Sequence, residues 1–205
     1  MRLLRTALAF LLSSSLSACA AVSSDDVILA ASPDAVARAI ATPGPECSRE
    51  QAAMVNEART TARNRIREGI RFLQREPESP HVRLWFGDAP AKMMLQVLTN
   101  TLNRMERRDS YVMHCNDMKT CGRGQMGYMR PGLNIVGVCQ PFFRAGLDGQ
   151  DSRYGILVHE FSHLGGRTSD YVYQPRAARM LAKSDWLRAA SNADNYEYFI
   201  ENLPR

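Results

Sequence analysis

His159 and His163 stand four residues apart, with Glu160 directly after the first. On an α-helix such positions lie one above the other on the same face. The segment around them must therefore be helical if the pair is to act together, and this constrains the chain more than any other stretch. The helix has a readable start and stop. Tyr154, Ile156 and Leu157 supply an apolar stripe from Ser152 onward, and Gly165-Gly166 stands where glycine commonly ends helices. Only four histidines occur in 205 residues, and two of them are here. Two imidazoles on one face offer two nitrogens to a single metal ion. Glu160 is placed beside them as a general base for a nucleophilic water.

A catalytic zinc ion takes three protein ligands and keeps a fourth position open. Three kinds of third ligand follow an HExxH motif. A metzincin-like pattern finds its glycine at Gly166 but needs a histidine at position 169, which is Ser169. A thermolysin-like pattern takes a glutamate from a downstream helix, where Glu197 or Glu201 could serve. The third pattern uses Asp170. The residues from Leu164 to Ser169 are enough to reverse the chain and return a carboxylate to the metal.

The N-terminal residues have a different character. Arg2 and Arg5 precede an apolar run over 7–12 and the small-residue stretch Ser13-Ser14-Ser15-Leu16-Ser17-Ala18-Cys19. This reads as a secretory signal, too short to span a bilayer as a permanent helix. Leu16-Ser17-Ala18-Cys19 also resembles the lipobox of bacterial lipoproteins, so Cys19 is expected to carry a lipid anchor. The alternative is an ordinary cleavage site that removes Cys19 and releases the protein. Residues 20–45 are rich in Ala, Ser, Pro and Asp and end in the breaker Pro43-Gly44-Pro45. The expected organisation is a lipoprotein-type signal over 1–19, a flexible linker over 20–45, and one domain over 46–205. The last is about 160 residues long, an ordinary domain size.

The formal net charge of +5 includes the two signal arginines, leaving about +3 for the rest (5 − 2 = 3). That excess is mild, and the arginines are scattered along helical patterns, so no nucleic acid partner is expected. Apart from Cys19 there are four cysteines: Cys47, Cys115, Cys121 and Cys139. An even number in an exported chain, with no CxxC pair, points to two disulfides, and three pairings are possible.

Ser48 and Gln51 form a capping box. Val55, Ala58, Ala62, Ile66, Ile70 and Leu73 then repeat at three- and four-residue steps, predicting one long helix that ends near Arg75. Glu76-Pro77-Glu78-Ser79-Pro80 reads as a breaker and Trp85-Phe86-Gly87-Asp88 as a turn. Asp88 is expected to cap a second helix from Ala89-Pro90, with Met94, Leu98 and Met105 in its buried stripe. Short strands are expected around Tyr111-Val112-Met113, over 122–128 and over 133–138. Further helices should run from Pro175 through Leu187, and from the N-cap Asn192 to Asn202. The fold class is α+β, mainly helical, with a small disulfide-linked antiparallel sheet.

Other blocks complete a pattern. Arg167-Thr168-Ser169-Asp170 continues as Tyr171-Val172-Tyr173, and Asn192-Ala193-Asp194-Asn195-Tyr196-Glu197-Tyr198-Phe199 follows. Together with Cys47-Ser48, Trp85-Phe86-Gly87, Val138-Cys139, Phe142-Phe143 and Leu157-Val158, they make residues 47–202 resemble the aspzincins. These are the deuterolysins and, more closely here, the peptidyl-lysine metalloendopeptidases. The family joins HExxH to a downstream Gly-Thr-x-Asp segment. The resemblance implies a zincin-like domain holding one catalytic zinc ion through His159, His163 and Asp170. It implies Glu160 as general base and Tyr173 as donor to the oxyanion, where losing one such donor typically costs about 3 kcal/mol. It also implies that Asp194 and Glu197, three apart on one helix face, form a pocket for a lysine after the scissile bond. The alternative is that Asp194 complements the helix dipole and Glu197 is solvated. Finally, it implies the pairing Cys47–Cys115 and Cys121–Cys139. The chain departs from the family where Arg167 and Gln174 replace glycines, which adopt φ > 0 more cheaply. The connection from His163 to Asp170 is also about two residues shorter than in the lysine-specific relatives.

The leading reading is a monomeric zinc endopeptidase acting on proteins or peptides, cleaving before lysine. It is expected to be exported and anchored to the bacterial envelope through Cys19, or secreted if the signal is ordinary. The competing reading is an inactive envelope lipoprotein with a binding or structural role, against which the intact Glu160 argues. A hydrolase of cell-wall peptides would share the chemistry and differ in substrate.

Overall fold

The computed structural model describes residues 46–204. The expected signal with Cys19 and the linker lie outside the described residues. Helix α1 (Arg49–Arg75) opens with the capping box: the Ser48 hydroxyl accepts the Gln51 N–H at 3.3 Å, and the Gln51 side chain accepts the Ser48 N–H at 2.9 Å. Its stripe buries Val55, Ala58, Ala62, Ile66 and Leu73.

At the breaker the structure differs from expectation. Ser79 accepts the Val82 N–H at 3.3 Å, and Pro80 sits in the first turn, where its fixed φ and missing N–H suit a helix. Residues of the expected turn thus belong to α2 (Pro80–Phe86), with Trp85 and Phe86 buried. Asp88 caps nothing; Arg83 donates to its carboxylate at 2.8 Å. Helix α3 (Ala91–Glu106) starts after Pro90 without a side-chain cap.

Three short strands follow: β1 (Val112–Cys115), β2 (Gly127–Arg130) and β3 (Ile135–Val138), in the order β1-β3-β2. Only β2 and β3 pair antiparallel as expected; β1 runs parallel to β3, with Val112 beside Ile135 and Cys115 beside Val138. The reason is burial. Every residue of β3 is buried, so it takes the centre and leaves β2, with exposed Arg130, at the edge. A chain that reverses twice and then pairs with β1 must run in its direction. The cysteines pair as Cys47–Cys115 and Cys121–Cys139, tying the start of α1 and the loop before β2 to this sheet.

After α4 (Gln140–Arg144) comes α5 (Arg153–Phe161), capped by Ser152, which accepts the Gly155 N–H at 3.0 Å. All residues from Tyr154 to Phe161 are buried. Helix α1 covers one side of α5, and α8 (Ala193–Glu201), itself buried from Ala193 to Ile200, covers another. A helix that is apolar on most of its circumference belongs inside a core. Between them lie α6 (Pro175–Ser184) and α7 (Trp186–Ala189). The single helix expected here breaks at Asp185, whose carboxylate accepts the Arg188 N–H at 3.0 Å and caps α7. Trp186 and Leu187 are consequently exposed.

Candidate metal centre and active site

His159 lies in the last turn of α5. His163 lies in the wider turn Ser162–Gly166, which has π-helical hydrogen bonding. The widening is a packing effect. A Cβ on Gly165 would stand 2.6 Å from the Asn100 carbonyl oxygen, and one on Gly166 would stand 2.6 Å from Val97 Cγ1. The two glycines therefore let this turn press onto α3, and the left-handed residue that ends it is Arg167, with φ 59° and ψ 36°. The chain then returns through Ser169, which bridges in parallel to Asn192, and delivers Asp170.

Asp170 Oδ1 is 3.2 Å from Nε2 of both His159 and His163. Both rings have their other nitrogen engaged. His163 Nδ1 donates to the Thr168 carbonyl at 2.9 Å. His159 Nδ1 lies 2.9 Å from Asp194 Oδ1 and 3.2 Å from Glu197 Oε2. With a metal held there, each Nε2 would serve as the lone-pair nitrogen, the orientation that outer partners impose on metal-binding histidines. A tetrahedral zinc shell with bonds of about 2.0–2.1 Å places neighbouring ligand atoms about 3.3 Å apart. Two imidazole nitrogens and a carboxylate oxygen at 3.2 Å fit such a shell. The sequence-level alternatives for the third ligand do not converge here. Ser169 is held by its backbone, Glu197 faces the far nitrogen of His159, and Glu201 accepts hydrogen bonds from Ser152 N and Oγ at 2.8 and 2.7 Å.

His159, His163 and Asp170 line a cavity of about 920 Å³ together with Glu160 and Tyr173. Glu160 is buried, and burial raises its carboxyl pKa against the opposing pull of His159 and His163. It packs against β2: a Cβ on Gly127 would fall 2.7 Å from Glu160 Oε1. For Asp170, burial works upward, but the hydrogen bonds and charges of the two histidines outweigh it and hold the carboxyl far below the usual range. Tyr173 is 59% exposed at the cavity mouth, its ring stacked on His159 at 6.4 Å. Partial burial and then the negative charge of Asp170 raise its hydroxyl pKa, which keeps it a proton donor.

Asp194 and Glu197 both face the site, and Glu197 is 2% exposed, which excludes the solvated alternative. Asp194 bridges two parts of the site, because its Oδ2 also accepts the Gln174 N–H at 2.6 Å. Asn192 is the expected N-cap residue, but its side chain does other work. It accepts the Tyr171 and Val172 N–H groups at 2.8 and 3.2 Å and so latches the Asp170 loop to α8. Sequence reasoning missed this latch, the Thr168 contact and the role of Gly127. The only signal was the density of polar residues at the start of an otherwise buried helix, Asn192 to Asn195. Both departures from the family pattern fall at positive φ, Arg167 at 59° and Gln174 at 79°.

The profile of the aspzincin family, described as lysine-specific metallo-endopeptidase, matches residues 72–201. A peptidyl-Lys metalloendopeptidase of Grifola frondosa is 35% identical over 165 residues, covering 77% of this chain and 46% of the relative. An extracellular protease of Aeromonas hydrophila is 32% identical over 191 residues, covering 88% of this chain and 54% of the relative. The chain thus spans about half the length of these two curated relatives. A peptidyl-Lys metalloendopeptidase of Pleurotus ostreatus is 32% identical and is covered over 95% of its length. The solved structure of a zinc peptidase from Grifola frondosa superposes with a TM-score of 0.68 at 34% identity, covering 76% of this chain and 97% of that one.

Proposed function

The chain belongs to the aspzincin family of metallopeptidases, and on that premise we propose that it is a zinc-dependent endopeptidase. The observation that carries the reading is the convergence of His159 Nε2, His163 Nε2 and Asp170 Oδ1 beside the buried Glu160. When bound there, one zinc ion supplies a Lewis acid that polarises the peptide carbonyl and lowers the pKa of water.

The remaining chemistry belongs to the chain's own residues. Glu160 takes a proton from the attacking water and passes it to the leaving amine. Tyr173 donates its O–H to the oxyanion from its exposed place at the cavity mouth, where its ring stacks on His159. Asp194, Glu197 and Thr168 keep both imidazoles in the tautomer and orientation that ligation requires. Strand β2 pairs with β3 on one side, and Gly127, Tyr128 and Met129 line the cavity. Its other edge offers main-chain groups to an extended peptide.

The cavity also favours a basic residue in the substrate. Asp151, Asp194 and Glu197 line it, and Arg123 is its one Lys or Arg among the described residues. This supports cleavage before lysine, with the acidic groups receiving the ammonium. The domain is proposed to act as an exported monomer, tethered to the envelope by lipid on Cys19 or secreted without it. The intact base argues against an inactive binding protein. A chelated sample should lose its cleavage of unfolded protein and recover it with one zinc ion per chain. An Asp170→Asn variant should bind zinc far more weakly. Cleavage that persists at full rate after chelation would overturn the proposal.

A further inference from the structure

We infer that Asp117, in the loop after β1, is a positioning residue for substrate binding: through Tyr128 and Arg130 it holds β2 where an extended peptide pairs with it. This rests on the peptidase reading and deepens one part of it, the contact between β2 and the substrate backbone.

Strand β2 needs such a hold. It is four residues long, and among the described residues β3 is its one partner strand. Successive side chains of a strand point to opposite faces. Gly127 packs on Glu160 and Met129 on the main core, whereas Tyr128 packs with Ile135 and Cys139 in a separate cluster. Tyr128 and Arg130 thus share the face turned away from the base, with the Arg130 guanidinium 5.7 Å from the Tyr128 ring centroid. Tyr128 pairs with Gly137 of β3, and Gly137 pairs with His114 of β1, so the three form one row across the sheet. A Cβ on Gly137 would fall 2.1 Å from Tyr128 Cζ. The missing side chain is what lets the tyrosine ring lie over β3. Its hydroxyl thereby reaches past β3, to 3.3 Å from both His114 Nδ1 and Asp117 Oδ2. The single hydroxyl proton goes to the carboxylate, and His114 Nδ1 donates to the hydroxyl oxygen.

Asp117 is itself fixed as the receiver. It is buried, with Oδ1 accepting the Lys119 N–H at 3.1 Å and Oδ2 accepting the Thr120 hydroxyl at 2.8 Å. Arg130 stands 3.9 Å from the same Oδ2 and donates to the Thr120 hydroxyl. The loop has its own moorings. The Asn116 N–H donates to the Val138 carbonyl at 2.8 Å, the Cys121 N–H donates to the Asp117 carbonyl at 2.7 Å, and Cys121 is bonded to Cys139. One carboxylate therefore secures two of the four residues of β2 to a loop that is tied to the centre of the sheet. None of its contacts is with His159, Glu160, His163, Asp170 or Tyr173. Loosening it should weaken uniform substrate binding, which raises KM and leaves kcat in place.

The test uses the full, zinc-loaded chain, with melting temperature recorded for each variant. Steady-state kinetics are measured on a peptide long enough to lie along β2 and on one trimmed to the residues beside the scissile bond. Affinity for the long peptide is also measured with Glu160→Ala added, so that one reading does not depend on turnover. Asp117→Ala should raise KM for the long peptide about tenfold, the worth of one hydrogen bond to a charged group, with kcat near wild type and a smaller change for the trimmed peptide. Asp117→Asn keeps one acceptor oxygen and should recover part of the loss. Tyr128→Phe keeps the ring over Gly137 but loses the hydroxyl, so it should raise KM by less than Asp117→Ala, and it supplies the answer if Asp117→Ala does not fold. Unchanged KM for the long peptide in Tyr128→Phe or in folded Asp117→Ala overturns the inference, as does a loss confined to kcat. A wild type that cuts nothing, while Asp117→Ala still weakens peptide binding, would instead refute the peptidase reading and leave the anchoring of β2 standing.

Discussion

Gly127→Ala should silence the site without unfolding it. The methyl carbon would stand 2.7 Å from Glu160 Oε1, 2.9 Å from Cγ and 3.1 Å from Cδ, whereas carbon contacts are most favourable at about 3.5–4.0 Å. Glu160 must therefore retreat by about 0.6–1.1 Å to restore the Cγ contact, and it is buried with little room to settle elsewhere. A displacement near 1 Å in a reacting geometry costs about 10²-fold in rate, or roughly 2.7 kcal/mol of barrier. The strand itself should tolerate alanine, which loses less conformational freedom on folding than glycine. The assay combines kcat on a chromogenic peptide with zinc content and thermal unfolding. A kcat lowered about hundredfold, with zinc content and melting temperature retained, is the expected result. Wild-type kcat in a folded, zinc-loaded variant would refute the placement of Glu160 as the base.

Three other expectations follow from particular contacts. Arg167→Gly and Gln174→Gly relieve side chains held at φ 59° and 79°; each should stabilise by about 1 kcal/mol and raise the melting temperature by about 2–4 °C, and a drop in both variants would show that the loop is not strained. Asp194→Asn removes the charge that faces His159 Nδ1, so zinc affinity measured against a competing chelator should weaken about 10- to 100-fold; an unchanged affinity would remove its positioning role. Burial, aided by the charge of Glu197, pushes Glu201 up to about 8 despite its bonds from Ser152. Because the folded pKa is raised, the contribution of Glu201 is fully present below about pH 4.5 and is lost as pH climbs to about 8. Urea midpoints should fall across that window in wild type and fall less in Glu201→Gln, and equal slopes would contradict the assignment.

The parts of this structure that are legible in the sequence are those where one local rule acts alone. The Ser48–Gln51 box, the three- and four-residue stripe of α1, and the stacked pair His159 and His163 each depend on the chain within a turn or two. What escaped depends on partners far away in sequence. β1 lies parallel to β3 because the wholly apolar β3 competes best for the centre of the sheet, and no single strand announces that. Gly165 and Gly166 read as a helix stop, yet their backbone is spent on close approach to α3, leaving the left-handed cap to Arg167. Pro80 reads as a breaker, yet a proline in the first turn starts a helix as readily as it ends one. Asn192 and Asp194 look like helix-terminal residues, and only the returning loop shows that they hold Tyr171, Gln174 and His159 in place.

The central claim, that Glu160 works as base beside a metal held by His159, His163 and Asp170, is tested most directly on a denatured protein substrate. Zinc-loaded wild type and Glu160→Gln would be incubated with it side by side, and every new peptide end mapped by mass spectrometry. The account expects new ends from wild type alone, beginning with lysine, with equal zinc in both proteins. The same ends from Glu160→Gln at a comparable rate, or an intact substrate in both samples, would contradict it.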